Sequence, residues 1–228
     1  MKTEVLAPYS VLFDLDGTLL DTAPDLAAAL NQVLVEEGRT ARSFEDIRPV
    51  VSHGGIALIR FGFEIEPSHP DFERLRLRFL EIYRQHIAEN TRPFPGMNEL
   101  LDHLEQNNIP WGVVTNKPSW LTDPLLAALG LNKRAATIVS GDTTANAKPH
   151  PEPMYYACEQ TGHDPQHCIY VGDAERDIEA GRRAGMKTLV ALFGYIGDED
   201  RPEQWQADGM IRHPLEILEF IRRWKSAA

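Results

Sequence analysis

The chain has 228 residues, 43% of them hydrophobic and 25% charged, with a net charge of −11. That mix belongs to a globular protein able to bury a sizeable core, and its negative field excludes nucleic acid and anionic membrane surfaces as natural partners. No stretch approaches the ~20 apolar residues of a membrane span, and Met1 to Ser10 lacks the basic and apolar regions of a signal peptide, so a cytoplasmic protein is expected.

The first predicted element is a strand. Val11 to Thr18 reads Val-Leu-Phe-Asp-Leu-Asp-Gly-Thr, an apolar run that ends in two carboxylates, a glycine and a hydroxyl. Such a run fits a strand buried on both faces of a parallel sheet, and ligands bind where such strands end. Asp14 and Asp16 crowd negative charge there, which a divalent cation relieves; oxygen-only ligands point to Mg²⁺. The plain alternative is an acidic turn after a core strand, with Gly17 serving only the backbone.

Helical spacing follows. Leu26, Leu30, Val33 and Leu34 predict a helix over Ala23 to Glu37, stopped by Gly38. Ile56 to Phe61 and Asp71 to Glu89 carry the same signature, the latter through Phe72, Leu75, Phe79 and Ile82. Arg74, Arg76 and Arg78 read as a solvated face of that long helix. Pro93, Pro95 and Gly96 then punctuate the chain. At this length a core with one smaller insert is expected, with residues 1–20 and 91–228 as the core and 21–90 as an all-helical insert overhanging Asp14 and Asp16 like a lid.

Beyond Gly96 helices and strands alternate. Helices are expected over Met97 to Gln106, Ser119 to Leu129, Glu152 to Thr161, Glu175 to Ala184 and Leu215 to Trp224. Strands are expected over Trp111 to Thr115, Thr137 to Ser140, Cys168 to Gly172, Thr188 to Leu192 and near Gly209 to Ile211. This alternation predicts a parallel sheet covered on both faces. Cys158 and Cys168 read as buried thiols needing no disulfide. His163 and His167 are four apart, but Pro165 opposes the helix that would align them on a metal.

Three strand ends carry further chemistry: Thr115-Asn116, Lys148 in Lys148-Pro149-His150-Pro151, and Asp173 with Asp177 four residues on. Singly, Thr115 reads as a helix cap, Lys148 as a solvated loop cation and Asp173 as an N-cap. Together with Asp14 and Asp16 they form a constellation at one edge of the sheet.

At these residues the chain resembles the haloacid dehalogenase superfamily of aspartate-nucleophile phosphotransferases. The superfamily's four motifs stand in order as Asp14-Leu15-Asp16-Gly17-Thr18, Thr115, Lys148, and Gly172-Asp173 with Asp177. The likeness spans essentially the whole chain. It implies an α/β fold, a Rossmann-like doubly wound parallel sheet core with an inserted all-helical cap. It also implies Asp14 as nucleophile, Asp16 as general acid and base, Thr115 and Lys148 as phosphate holders, and Mg²⁺ on Asp14, Asp173 and the Asp16 backbone carbonyl. Asn116 and Lys117 are placed to offer backbone amides to phosphate, and Lys117 reads equally as a solvated side chain. Asp177 is expected to orient the metal's ligands rather than to bind the metal. The charges agree with these roles, because a carboxylate repels a phosphate dianion unless cations offset both.

Within the superfamily the chain is similar to the phosphoglycolate phosphatases through Leu19 to Asp25. More narrowly it resembles the N-acetylmuramic acid 6-phosphate phosphatases of bacterial cell-wall recycling. That likeness runs through Val51-Ser52-His53-Gly54-Gly55, Trp111 to Pro118, Pro151 to Pro153, Phe193 to Ile196, Trp205 and His213 to Glu216. His53 departs from the usual cap loop. Ser52, His53, Gly54 and Gly55, set between cap helices, are the expected specificity residues, with a plain turn as the alternative. The resemblance implies a phosphomonoester hydrolase acting through an aspartyl-phosphate on a small phosphorylated metabolite, as a monomer or homodimer. The rivals are a phosphoglycolate phosphatase, a sugar phosphomutase of the same fold, and a non-catalytic phospho-ligand binding module. The last is expected to lack Asp14 or Lys148. A dehalogenase has no use for Asp16.

Overall fold

A computed structural model describes residues 9–225; residues 1–8, with most of the Met1 to Ser10 segment and the start of the 1–20 core stretch, and residues 226–228 lie outside it. The apolar start of the Val11 to Thr18 octet forms β1 (Ser10–Phe13), every residue of the strand buried. A two-residue strand β2 (Leu20–Asp21) follows, then α1 (Ala23–Glu36), α2 (Phe44–Ile47), a 3₁₀ segment (Arg48–His53), α3 (Gly54–Phe63), α4 (Phe72–Gln85) and β3 (Arg92–Pro93). The remainder alternates as α5 (Met97–Gln106), β4 (Trp111–Val114), α6 (Ser119–Ala128), β5 (Thr137–Val139), α7 (Glu152–Thr161), β6 (Cys168–Gly172), α8 (Glu175–Ala184), β7 (Lys187–Ala191), β8 (Gly209–Ile211) and α9 (Ile217–Lys225).

Six strands pair in the order β5-β4-β1-β6-β7-β8, every neighbour parallel. This is the doubly wound arrangement the alternation predicts. Its order reverses between β1 and β6, where Leu12 faces Tyr170 and Phe13 faces Val171. The crevice of such a sheet opens at that point, so the residues just past β1 and β6 share one site.

The insert is helical, but its two ends are not. Leu20 pairs with Pro93 and Asp21 with Arg92 in a short antiparallel ribbon. Buried Asp25 clamps the same place, its carboxylate accepting from the backbone N–H groups of Asn90 and Thr91, the Asn90 amide and the Thr91 hydroxyl at 2.7–3.1 Å. Two-residue strands carry no periodicity, so the ribbon leaves no trace in the hydrophobic pattern. Leu30, Leu34, Phe79 and Tyr83 of the insert join Phe13, Leu101 and Val113 in one continuous core. The closing helix begins later than its apolar pattern suggests, at Ile217, after a 3₁₀ turn over Pro214–Glu216. No helix among the described residues is long and apolar enough to cross a membrane.

Candidate active site

Asp14 sits one residue beyond β1, its N–H donating to Val171 O of β6 at 2.9 Å. The residue is 3% exposed, and its Oδ1 accepts from Lys148 Nζ at 2.7 Å. The same ammonium donates to Asp177 Oδ1 at 2.7 Å and to the Tyr170 hydroxyl at 2.8 Å, so all three of its protons have acceptors. Asn116 fixes the loop that presents Lys148. Its Nδ2 donates to Lys148 O and its Oδ1 accepts from Lys148 N. Its side chain is thus committed to that loop, leaving the backbone amide as what Asn116 offers a ligand.

Asp173 follows β6 and is buried. Its Oδ1 accepts from Thr18 Oγ1 at 3.0 Å, and its Oδ2 from Ser52 Oγ at 2.7 Å and Tyr195 N at 3.0 Å. Asp177, on the first turn of α8, gives its second oxygen to Ala174 N at 3.0 Å. Asp14, Asp173 and Asp177 each bring a carboxylate oxygen within 4.8 Å of the others. Gly17 is what lets the chain pass this cluster: its φ is +88°, and a Cβ there would strike the Asp173 carboxylate.

The charges are unbalanced. Burial, then the Asp177 charge, raises the Asp14 pKa, with Lys148 acting against them. Burial, then Asp14 and Asp177, pushes Asp173 up to about 7. Three acidic groups face one saturated lysine, and half-buried Arg176 adds one further positive charge. A hard divalent cation fits this oxygen-only donor set.

Asp16 is less enclosed, at 18% side-chain exposure. Its Oδ1 accepts from Lys117 Nζ at 2.7 Å and from Thr22 Oγ1 at 2.6 Å. Lys117 is therefore not the solvated cation its loop position suggests. Only 7% of its side chain is exposed, and Nζ lies 4.7 Å from the Tyr83 ring centroid. Burial is the largest influence and works against its charge, but the Asp16 carboxylate and Tyr83 together outweigh it and raise the lysine pKa above its ordinary value. Thr115 Oγ1 accepts from Lys117 N at 3.1 Å.

A cavity of about 410 Å³ lies between the helical insert and the sheet edge. Asp14, Asp16, Thr115 and Asn116 form part of its floor, and Ser52, His53, Gly54 and Gly55 part of its roof. Ser52 does more than roof it: its hydroxyl reaches Asp173, and its carbonyl accepts from Arg176 Nη2 at 2.6 Å. Arg48 makes a second contact across the same gap, Nη1 donating to Gly194 O at 3.2 Å with the guanidinium 4.9 Å from the Tyr195 ring centroid.

Of the arginines read as one solvated face, two hold the insert together and one lines the cavity. Arg74 and Arg78 bond Glu37 and Glu36 at the end of α1. Arg76, between them in sequence, lines the cavity wall. Thr22, Lys117, Arg176 and Tyr195 lie within or beside the segments that carry the resemblance, but sequence context gives none of them the side-chain role it has here, and Tyr83 lies in no motif.

The family model for haloacid dehalogenase-like hydrolases matches residues 11–191. The chain is 45% identical over 212 residues to the N-acetylmuramic acid 6-phosphate phosphatase of Pseudomonas putida, covering 93% of this chain and 95% of that protein. It is 44% identical over 207 residues to the phosphoglycolate phosphatase of Xylella fastidiosa, covering 91% and 90%. Among solved structures, a predicted phosphoglycolate phosphatase from Haemophilus somnus superposes with a TM-score of 0.83 at 27% identity, over 94% of this chain and 98% of that one.

Proposed function

The chain belongs to the haloacid dehalogenase-like hydrolase family and is a phosphatase, and from that premise we propose that it hydrolyses N-acetylmuramic acid 6-phosphate to N-acetylmuramic acid and phosphate, in the recycling of peptidoglycan. The observation that carries the substrate is the 45% identity to a phosphatase of that name across 93% of this chain, insert and sheet alike. A roofed cavity of about 410 Å³, large enough for a sugar, supports it.

In this reading Asp14 attacks phosphorus, and the phosphoryl group passes to its carboxylate while the sugar oxygen leaves. Asp16 protonates that oxygen and then, as its conjugate base, takes a proton from the water that cleaves the aspartyl-phosphate. Lys148 holds Asp14 in place by the bond at 2.7 Å and offsets negative charge beside it. Thr115 and the Asn116 amide hold the phosphoryl oxygens. Asp14, Asp173 and the Asp16 carbonyl would hold Mg²⁺, with Asp177 orienting Lys148 and the loop after β6. Bound there, the ion supplies positive charge against the phosphoryl oxygens and the nucleophile together. Thr18, Ser52 and Tyr195 orient Asp173 for that task.

The cap decides the sugar, because sheet-edge residues meet only the phosphoryl group. Comparing kcat/KM for N-acetylmuramic acid 6-phosphate, N-acetylglucosamine 6-phosphate and phosphoglycolate tests the assignment. The muramic ester is expected to lead. If phosphoglycolate leads by tenfold, about 1.4 kcal/mol of transition-state binding, the sugar assignment is wrong while the phosphatase stands.

A further inference from the structure

Arg76, Phe79, Leu80 and Tyr83 all line the cavity. Their spacing of i, i+3, i+4 and i+7 puts them on one face of α4, so a single helix supplies a graded wall. Tyr83 is the inner end. Its ring centroid is 4.7 Å from Lys117 Nζ, which is itself 2.7 Å from Asp16 Oδ1. Seven residues of helix rise about 10 Å, so Arg76 marks the outer end.

The two ends differ in access, Tyr83 fully buried and Arg76 partly exposed, but each carries a polar group that a ligand can engage. The Tyr83 hydroxyl is buried without a hydrogen-bond partner, the one such side-chain atom among the described residues. Leaving a buried hydroxyl unpaired costs stability, and this one sits in a cavity wall where a ligand could complete it. At the outer end Arg76, 29% exposed, bonds among the described residues only Glu73, three residues back on its own helix and 61% exposed. An exposed pair of that kind is weak, so an incoming carboxylate competes with it readily. Phe79 and Leu80 between them suit the apolar face of a ring.

We propose that this face of α4 selects phosphomonoesters that carry a carboxylate about a sugar ring's length from phosphorus, with Tyr83 bonding a hydroxyl near the reacting end and Arg76 pairing with the carboxylate. The proposal rests on the phosphatase reading and deepens it. The other arginine on the cavity, Arg176, bonds Ser52 O beside the acidic cluster, so it serves a carboxylate close to phosphorus and provides the control.

The test uses matched pairs in the full-length protein with Mg²⁺. 6-Phosphogluconate and glucitol 6-phosphate differ in a remote carboxylate; phosphoglycolate and 2-hydroxyethyl phosphate differ in a near one. Arg76→Met is expected to lower the kcat/KM ratio of the remote pair by about tenfold or more and to leave the ratio of the near pair in place. Arg176→Met is expected to do the reverse. Tyr83→Phe is expected to lower kcat/KM for both six-carbon esters with little change in the thermal midpoint, because its hydroxyl makes no well-formed hydrogen bond in the free protein and has only the Lys117 ammonium beside it among the described residues. An unchanged remote ratio in Arg76→Met overturns the proposal, as does a Tyr83→Phe protein that is less stable yet equally active. If the wild type prefers phosphoglycolate while Arg76→Met still lowers the remote ratio, the muramic assignment fails and the α4 inference stands; the opposite pattern sinks the inference alone.

Discussion

Asp14 and Asp16 stand two residues apart and take different tasks in the proposed mechanism, and their neighbours fit the difference. Asp14 is buried against Lys148, whereas Asp16 is partly open and held by Lys117 and Thr22 at one oxygen. Replacing Asp16 by Asn should slow phosphorylation from sugar esters by the roughly 10² to 10⁴-fold of a lost general acid. p-Nitrophenyl phosphate, whose leaving group needs no proton, should lose far less in that step. Equal losses in rapid-quench phosphorylation rates would remove Asp16 from the acid's role. The acidic cluster yields a second expectation. With its pKa raised to about 7, Asp173 binds a proton in the folded metal-free protein at pH values where the unfolded chain, near 3.8, has released it. The folded state then binds more protons, so stability of the metal-free protein falls as pH rises from about 4 to 7. If Mg²⁺ binds as proposed, protons and the ion compete for the same oxygens, so the rise in thermal midpoint on adding Mg²⁺ should be larger at pH 8 than at pH 5.5. A rise that shrinks with pH would count against metal binding at Asp14 and Asp173. At this scale the motif residues were legible because each ends an apolar strand. Lys117 was not, since a loop lysine reads the same whether it is solvated or buried on a carboxylate. Nor was Arg76: the alternation Arg74, Arg76, Arg78 looks like one charged face, yet steps of two residues turn a helix by about 200°, which sends Arg76 the other way.

Among the elements, the insert's base carries the most consequence. The β2–β3 ribbon and the Asp25 clamp join the two chain crossings between sheet and insert, and Tyr195 adds its hydroxyl to Asp21 at 2.8 Å. Asp25→Ala would leave two backbone N–H groups and the Thr91 hydroxyl without their acceptor in a buried place. A loss of roughly 2–4 kcal/mol in urea unfolding is expected, with Asp25→Asn losing less because it keeps one acceptor oxygen. A change below about 0.5 kcal/mol would show that the clamp contributes little. The long elements were legible, α1, α3 and α4 from apolar spacing and β1, β4 and β6 from short buried runs. The ribbon and the Arg48–His53 segment were not. Their positions depend on contacts distant in sequence, Arg48 with the Phe193–Tyr195 loop and Ser52 with Asp173, which no local pattern encodes.

Over the whole molecule, one sheet edge gathers what the sequence scatters over 160 positions. Alternating strands and helices made a doubly wound sheet legible, but the order β5-β4-β1-β6-β7-β8 is set by packing, and it is this order that places β1 beside β6 and Asp14 beside Asp173. The net charge of −11 repels an anionic substrate at long range, so attraction falls to the few cations on or behind the cavity: Lys117, Lys148, Arg176 and Arg76. In the proposed mechanism the arrangement converges on transfer of a phosphoryl group to Asp14. The most direct test is acid quench of Asp16→Asn during turnover of p-nitrophenyl phosphate, followed by peptide mass spectrometry, since that variant forms the intermediate from a good leaving group but hydrolyses it slowly. The account predicts a phosphoryl group on the peptide bearing Asp14, absent when Asp14→Asn is added. p-Nitrophenol release in the quenched turnovers with no phosphoryl group on Asp14, or with one on another residue, would contradict it.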